Sequence, residues 1–203
     1  MPTVTLLKPQ KNGKRVNVYL DGVFGFGIDL DNLVTSHIKI GTELTDEEVK
    51  KIIFKADFQK SLDRLLRFVT IRPRSLREVK DYFRRKKFDI SIHQGLLEKL
   101  KHLELLDDTK FAKWWVNQRL AFKKISLGLL KLELGKKGID RNIIDDVLQD
   151  SPIDEEKMAR ELLENKAYKW KNFDPRVAKQ KKFQYLARKG FSWETIEKIV
   201  LKR

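Results

Sequence analysis

The chain has 203 residues, 41% of them hydrophobic, with 44 Lys and Arg against 29 Asp and Glu and a net charge of +15. That hydrophobic content suits thin cores, so two small domains or a row of repeated units are expected as readily as one large domain. The absence of cysteine excludes a disulfide frame and thiolate metal sites. No apolar run approaches the ~20 residues that span a bilayer, and Met1 to Lys11 lack the long apolar region of a signal peptide; a soluble cytoplasmic protein is expected.

The charge is unevenly placed. Residues 1–54 hold seven Lys and Arg and seven Asp and Glu, whereas residues 55–203 hold 37 against 22. A basic surface attracts polyanions, of which nucleic acid is the commonest and anionic membrane the usual rival.

Val4 and Leu6, then Val16, Val18 and Leu20, alternate with polar residues. Lys11-Asn12-Gly13-Lys14 supplies a hairpin turn, and a second turn at Asp21-Gly22 leads into Val23-Phe24-Gly25-Phe26-Gly27-Ile28. The pattern predicts a three-stranded antiparallel meander of about 28 residues. Gly-x-x-Gly-x-Gly from Gly22 is neither a Walker nor a dinucleotide pattern, so Gly25 and Gly27 read as a twisted, closely packed strand.

From Thr45 onward the period is helical. Thr45-Asp46-Glu47-Glu48, Ser75-Leu76-Arg77-Glu78 and Ser91-Ile92-His93-Gln94 fit the capping box. Asp174-Pro175 places an N-cap before proline at the first helical position, and Gly138 and Gly190 fall where helices stop. About nine short helices are predicted.

The helices repeat. Lys86-Lys87-Phe88-Asp89, Lys137-Gly138-Ile139-Asp140 and Lys189-Gly190-Phe191-Ser192 align at offsets of 51 and 52 residues, which superpose Phe83, Leu134 and Leu186, and also Leu97, Leu148 and Val200. The fold class predicted is mainly α: tandem three-helix repeats in an elongated, curved body with a long groove, preceded by the β meander. The boundaries expected are 1–44 for the meander and linker, then 45–106, 107–152 and 153–203 for three repeats.

Several residues are candidates for function. Arg72 and Arg74 flank Pro73 before a helix start, where guanidinium forks and the helix N-terminus both favour an anion; two solvated loop arginines are the plainer alternative. Arg84-Arg85-Lys86-Lys87 close one helix, and Lys136, Lys137, Arg188 and Lys189 stand at the equivalent corners of the next repeats. Favourable interaction with the helix dipole accounts for one or two such cations per helix, not four, so a basic edge facing a polyanion or acidic partner is favoured. A helix is predicted from Asp108 to Phe122, with Phe111, Ala112, Trp115, Val116 and Phe122 on one face and Asp108 and Arg119 in that arc. These two charges are about 16 Å apart along the axis and must find partners elsewhere, so with Asp107 they read as structural caps or inter-helix pairs. Trp114, with Lys110 on its flank, reads equally as a stacking or interface residue and as packing against a neighbouring repeat; Lys123 and Lys124 follow the same helix and join the candidate set. His37, His93 and His102 lack metal-ligand spacing, and no cofactor, metal or catalytic group is expected.

Arg72-Pro73-Arg74-Ser75 with Glu78-Val79, Leu105-Leu106-Asp107-Asp108-Thr109-Lys110-Phe111-Ala112, Arg119, Glu133-Leu134 and Lys137-Gly138-Ile139 resemble the RecX signature in order and spacing, most strongly over residues 60–148. One departure is Ser126, with Gly128 nearby, where the family usually has glycine. The resemblance implies tandem three-helix repeats and a regulator rather than an enzyme. It also implies binding in the groove of the RecA–DNA filament, with inhibition of RecA ATP hydrolysis, co-protease action and strand exchange, and some affinity for DNA. The alternative is a DNA-binding protein, weak and salt-sensitive toward single or double strands, that affects recombination by competing for DNA. A monomer is expected.

Overall fold

The computed structural model describes every residue except Asn12, Lys123, Pro152, Lys202 and Arg203. The chain divides into two compact units, Met1–Ile71 with Phe88–Leu96, and Arg72–Lys87 with Leu97–Arg203.

In the first unit, β1 (Val4–Pro9), β2 (Arg15–Leu20) and β3 (Val23–Asp29) form an antiparallel sheet in the order β1-β2-β3. Pairing of Val16 with Ile28 and of Val18 with Phe26 sends all four side chains into the core, as period-2 alternation requires. Asp21 and Gly22 both have positive φ, 49° and 82°, the conformation of a tight hairpin turn. A Cβ on Gly25 would meet the Leu20 side chain at 3.0 Å, and one on Gly27 would meet Gln10 Nε2 at 2.9 Å, so both glycines answer to close packing. Asn12 of the first turn lies outside the described residues.

Helix α1 (Leu30–Thr35) follows β3 directly, capped by Asp29, so the helical period begins before Thr45. Helix α2 (Asp46–Thr70) opens with the complete Thr45–Glu48 capping box and runs 25 residues. No glycine or proline interrupts it, and it is therefore far from the short helix predicted. Its Ala56 joins Val4, Val18, Phe26, Ile28, Ile38 and Leu44 in the core of this unit. A short 3-10 turn, Ile90–Ile92, precedes α4 (His93–His102). The cap of that 3-10 turn is Asp89, whose carboxylate accepts from the Ser91 amide, rather than the predicted Ser91: the aspartate reaches the free N–H groups from two residues earlier.

The second unit holds α3 (Leu76–Lys86), α5 (Asp108–Phe122), α6 (Leu127–Lys136), α7 (Arg141–Gln149), α8 (Glu155–Glu164), α9 (Pro175–Arg188) and α10 (Trp193–Ile196), the last continuing as a π-helical turn over Glu197–Leu201. Helices α5 to α7 enclose Phe111, Val116, Leu130, Leu134, Ile144 and Leu148. Helices α8 to α10 enclose Ala159, Leu186, Phe191 and Ile196. Phe83, Leu134 and Leu186, aligned by the repeat offsets, are all buried. Phe122 instead is 80% exposed: it shares the azimuth of Phe111 but ends its helix, where no neighbour covers that level of the axis.

Candidate functional site

The second unit is organised by two junctions of the same chemistry. Helix α3 starts at Ser75, fully buried, whose Oγ accepts from the Glu78 amide at 3.2 Å and donates to the Lys137 carbonyl at 2.8 Å. The next amide, Leu76, donates to the Asp108 carboxylate at 2.8 Å. At the start of α6, Ser126 repeats the arrangement: its Oγ accepts from the Leu129 amide at 3.2 Å and donates to the Lys189 carbonyl at 2.8 Å, while the Leu127 amide donates to Glu155 at 2.7 Å. In both, a helix start whose N–H groups need partners is completed by the acid of a later helix and by a helix-ending turn.

Those turns expose a carbonyl because they close on themselves. After α6, the Gly138 and Ile139 amides return to Gly135 and Leu134, and after α9 the Gly190 and Phe191 amides return to Ala187 and Leu186; Gly138 and Gly190 sit at φ 79° and 81°. A Cβ on Gly128 would lie 2.6 Å from the Gly190 carbonyl oxygen, and one on Gly138 would lie 2.8 Å from Arg77 Cβ. Gly128 thus allows the turn to approach the start of α6. At the end of α3, Lys87 takes the corresponding left-handed place, at φ 52°.

A charged and aromatic cluster covers the first junction. Glu78 accepts from both terminal guanidinium nitrogens of Arg72, at 2.9 and 3.1 Å, and from Lys137 Nζ at 2.7 Å. Arg72 lies over the Trp114 ring at 5.4 Å and Lys137 over the Trp115 ring at 4.7 Å. Burial raises the Glu78 carboxyl, but the hydrogen bonds from Arg72 and Lys137 outweigh it and hold the group below the usual glutamate range. Asp108 goes the other way: burial pushes it above the usual aspartate range, and the Leu76 N–H offsets this only in part. Half-buried Arg74 is lowered by desolvation and by the nearby Arg72 charge.

The candidates therefore separate by environment. Arg72, Trp114 and Lys137 meet at Glu78 and its surroundings. Asp107 caps its own helix, accepting from the Thr109 and Lys110 amides. Arg119 is held on Glu133 by two bonds, at 2.8 and 2.5 Å, and Glu133 also accepts from the Trp115 indole at 3.0 Å. Lys110 pairs with Glu104 at 2.9 Å, Lys124 with Glu161, and Arg84 with Asp81. Arg85 covers the Tyr82 ring at 5.6 Å. Lys86, Lys87, Lys136, Arg188 and Lys189 are exposed, while Lys123 lies outside the described residues. Neither Glu78 nor Glu133 stands out from the sequence as the hub it becomes; Arg119, which needed an acidic partner, was the available signal for Glu133. A further group of cations and rings between Lys166 and Lys189 is announced by no motif.

Residues 2–45 match the Regulatory protein RecX N-terminal domain, residues 107–148 the second three-helix domain of RecX and residues 154–200 the third. Regulatory protein RecX of Bacillus pumilus is 32% identical over 202 residues, 98% of this chain and 77% of that protein. This chain belongs to the RecX family. RecX of Bacillus licheniformis is 33% identical over 97% of the chain and 75% of its own length. A crystal structure of regulatory protein RecX superposes with a TM-score of 0.77 at 26% identity over 98% of both chains, and that of RecX from Lactobacillus salivarius with 0.65 at 27% identity, over 71% of this chain and 94% of the other. Ser126 lies in the second matched three-helix domain and its partner Lys189 in the third, while Ser75 precedes both and its partner Lys137 lies in the second. Among the described residues no helix is long and apolar enough to cross a membrane.

Proposed function

We propose that this chain is a negative regulator of RecA that lies in the groove of the RecA–DNA filament and inhibits ATP hydrolysis, co-protease action and strand exchange. The observation that carries the reading is the RecX relationship along 98% of the chain. Charge supports it. The unit formed by Arg72–Lys87 and Leu97–Arg203 holds 33 Lys and Arg against 19 Asp and Glu, whereas the other holds 11 against 10. Residues 45–106 form the first repeat in this reading, and the exposed corner cations Lys86, Lys87, Lys136, Arg188 and Lys189 meet phosphates or acidic RecA side chains. The protein acts as a cytoplasmic monomer without a cofactor. The test is RecA-dependent ATP hydrolysis on single-stranded DNA with substoichiometric protein: a fall in rate with shorter filaments is expected, and no change in either overturns the reading.

The same charge favours a second reading, in which DNA is the primary ligand and RecA is affected by competition. Ionic contacts to DNA weaken steeply with salt. Inhibition of RecA that persists at salt where free-DNA binding is lost would dismiss the competitor reading.

A further inference from the structure

The 25 residues from Lys166 to Gly190 contain Lys166, Lys169, Lys171, Arg176, Lys179, Lys181, Lys182, Arg188 and Lys189 with a single acid, Asp174. They carry eight of the fifteen net positive charges of the chain. Asp174 neutralises none of them by pairing, since its carboxylate is the cap of α9 and accepts from the Arg176 amide at 2.9 Å. Elsewhere lysines pair with acids, as Lys110, Lys124, Lys131, Lys137 and Lys198 do. Among the described residues, none of the nine cations in this stretch forms an ion pair. The helix dipole accounts for Arg188 and Lys189 at the end of α9; it leaves the other seven unexplained.

Aromatic rings share this surface. Tyr168 is 70% exposed and Phe173 45% exposed. Trp170 is buried beside Tyr185, with ring centroids 5.7 Å apart. Lys166 Nζ sits over the Tyr185 ring at 5.5 Å and Lys181 Nζ over the Phe173 ring at 4.7 Å. A shallow cavity of about 530 Å³ opens here, lined by Leu163, Ala167, Tyr168, Trp170, Lys171 and Lys182, with Glu164 at its rim. Its size suits a small planar group. Uncompensated cations call for an anionic ligand, and exposed rings beside them call for one with flat apolar faces. A duplex keeps its base faces stacked inside and presents edges and phosphates, whereas a single strand offers phosphates and open base faces together.

We propose that the third three-helix domain carries a binding site for single-stranded nucleic acid, in which Tyr168 and the cavity beside Trp170 take a base while Lys171, Lys182 and their neighbours track the phosphates. This site rests on the DNA-binding reading above, to which it gives a place and a single-strand preference, and it does not depend on RecA.

The test is fluorescence anisotropy of the full chain, without RecA, on labelled oligo(dT), on a duplex of equal length and on vesicles of mixed phosphatidylserine and phosphatidylcholine. Because RecA is absent, its failure is distinguishable from failure of the RecA reading. Tyr168→Ala is expected to weaken single-strand binding about tenfold and to leave duplex binding and the melting temperature unchanged, with Tyr168→Phe restoring the affinity. Lys171→Gln with Lys182→Gln is expected to lower the slope of log affinity against log salt by about 1.4 for the single strand. Equal affinity for single strand and duplex with Tyr168→Ala silent would overturn the proposal. So would binding confined to the vesicles, or loss of single-strand affinity only in the lysine variant.

Discussion

The Ser75 hydroxyl donates to the backbone carbonyl of Lys137 across a separation of 62 residues, at 2.8 Å. Because a hydroxyl has one donor and spare acceptor capacity, the same atom also caps its own helix through the Glu78 amide. Ser75→Ala therefore removes a cap and leaves a part-buried carbonyl without its partner, a loss of about 1–3 kcal/mol. Ser126→Ala, with the same two bonds to Leu129 and Lys189, is expected to lose a similar amount. Chemical denaturation of each variant measures this, and a loss near zero in both would show that neither junction stabilises the fold.

Glu133 joins α5 to α6 by accepting from Arg119 and the Trp115 indole. Arg119 and Glu133 are 28% and 20% exposed, so solvent screens the pair in part. Glu133→Ala leaves a half-buried guanidinium and an indole N–H without their acceptor, and about 1–3 kcal/mol of stability is expected to go. Near-UV circular dichroism should change with it, since Trp115 loses its fixed orientation; an unchanged tryptophan signal would dismiss the clamp.

Local chemistry was legible in the sequence, and remote partners were not. Thr45, Ser75 and Asp174 declare helix starts because the atoms they serve lie within three residues, and Gly138 and Gly190 declare helix ends because the left-handed turn itself demands them. The Asp108 carboxylate meets an amide 32 residues earlier, and Lys137 Nζ meets a carboxylate 59 residues earlier. Nothing in either residue's neighbourhood in sequence carries that information. Lys137 consequently reads as a free corner cation until the fold seats it on Glu78. Phe122 misleads for a related reason: periodicity fixes the direction a side chain takes around the helix, not whether another element reaches that height. Between Lys166 and Lys189 the count of charges was visible throughout, while their lack of acidic partners needed the structure.

The junction should respond to pH through two acids of opposite sense. Glu78 is held below its ordinary range in the folded state, so the stability it supplies is present above the unfolded value, about 4.3, and is lost as pH falls through its lower folded value. Asp108 is raised on folding; the folded state then holds the proton more tightly, and stability falls as pH rises from about 3.9 through the folded value. Glu78→Gln is expected to destabilise by about 1–2 kcal/mol at neutral pH, with the difference from the parent shrinking in acid. Asp108→Asn keeps an oxygen acceptor for the Leu76 amide, and its stability relative to the parent should improve as pH rises out of the acid range. Denaturation midpoints across a pH series measure both trends, and parallel curves for Glu78→Gln and the parent would refute the first.

The corner cations give the sharpest separation between stability and binding. Lys137 is engaged with Glu78 and the Trp115 ring, so Lys137→Ala should cost about 1–2 kcal/mol of stability. Its effect on affinity for the RecA filament should be small. Arg84 and Arg85 are exposed, touching Asp81 and the Tyr82 ring respectively, and exposed pairs of this kind contribute about 0–1 kcal/mol. Reversing both to Glu should leave the melting temperature nearly unchanged. If α3 presents them to DNA phosphates or acidic RecA side chains, affinity for the filament should fall strongly, mostly through slower association at low salt. The paired measurement is melting temperature and filament affinity for Lys137→Ala and for Arg84→Glu with Arg85→Glu. Unchanged affinity in the folded double variant would remove the α3 corner from the interface and shift attention to Lys136, Arg188 and Lys189, the exposed cations of the later repeats.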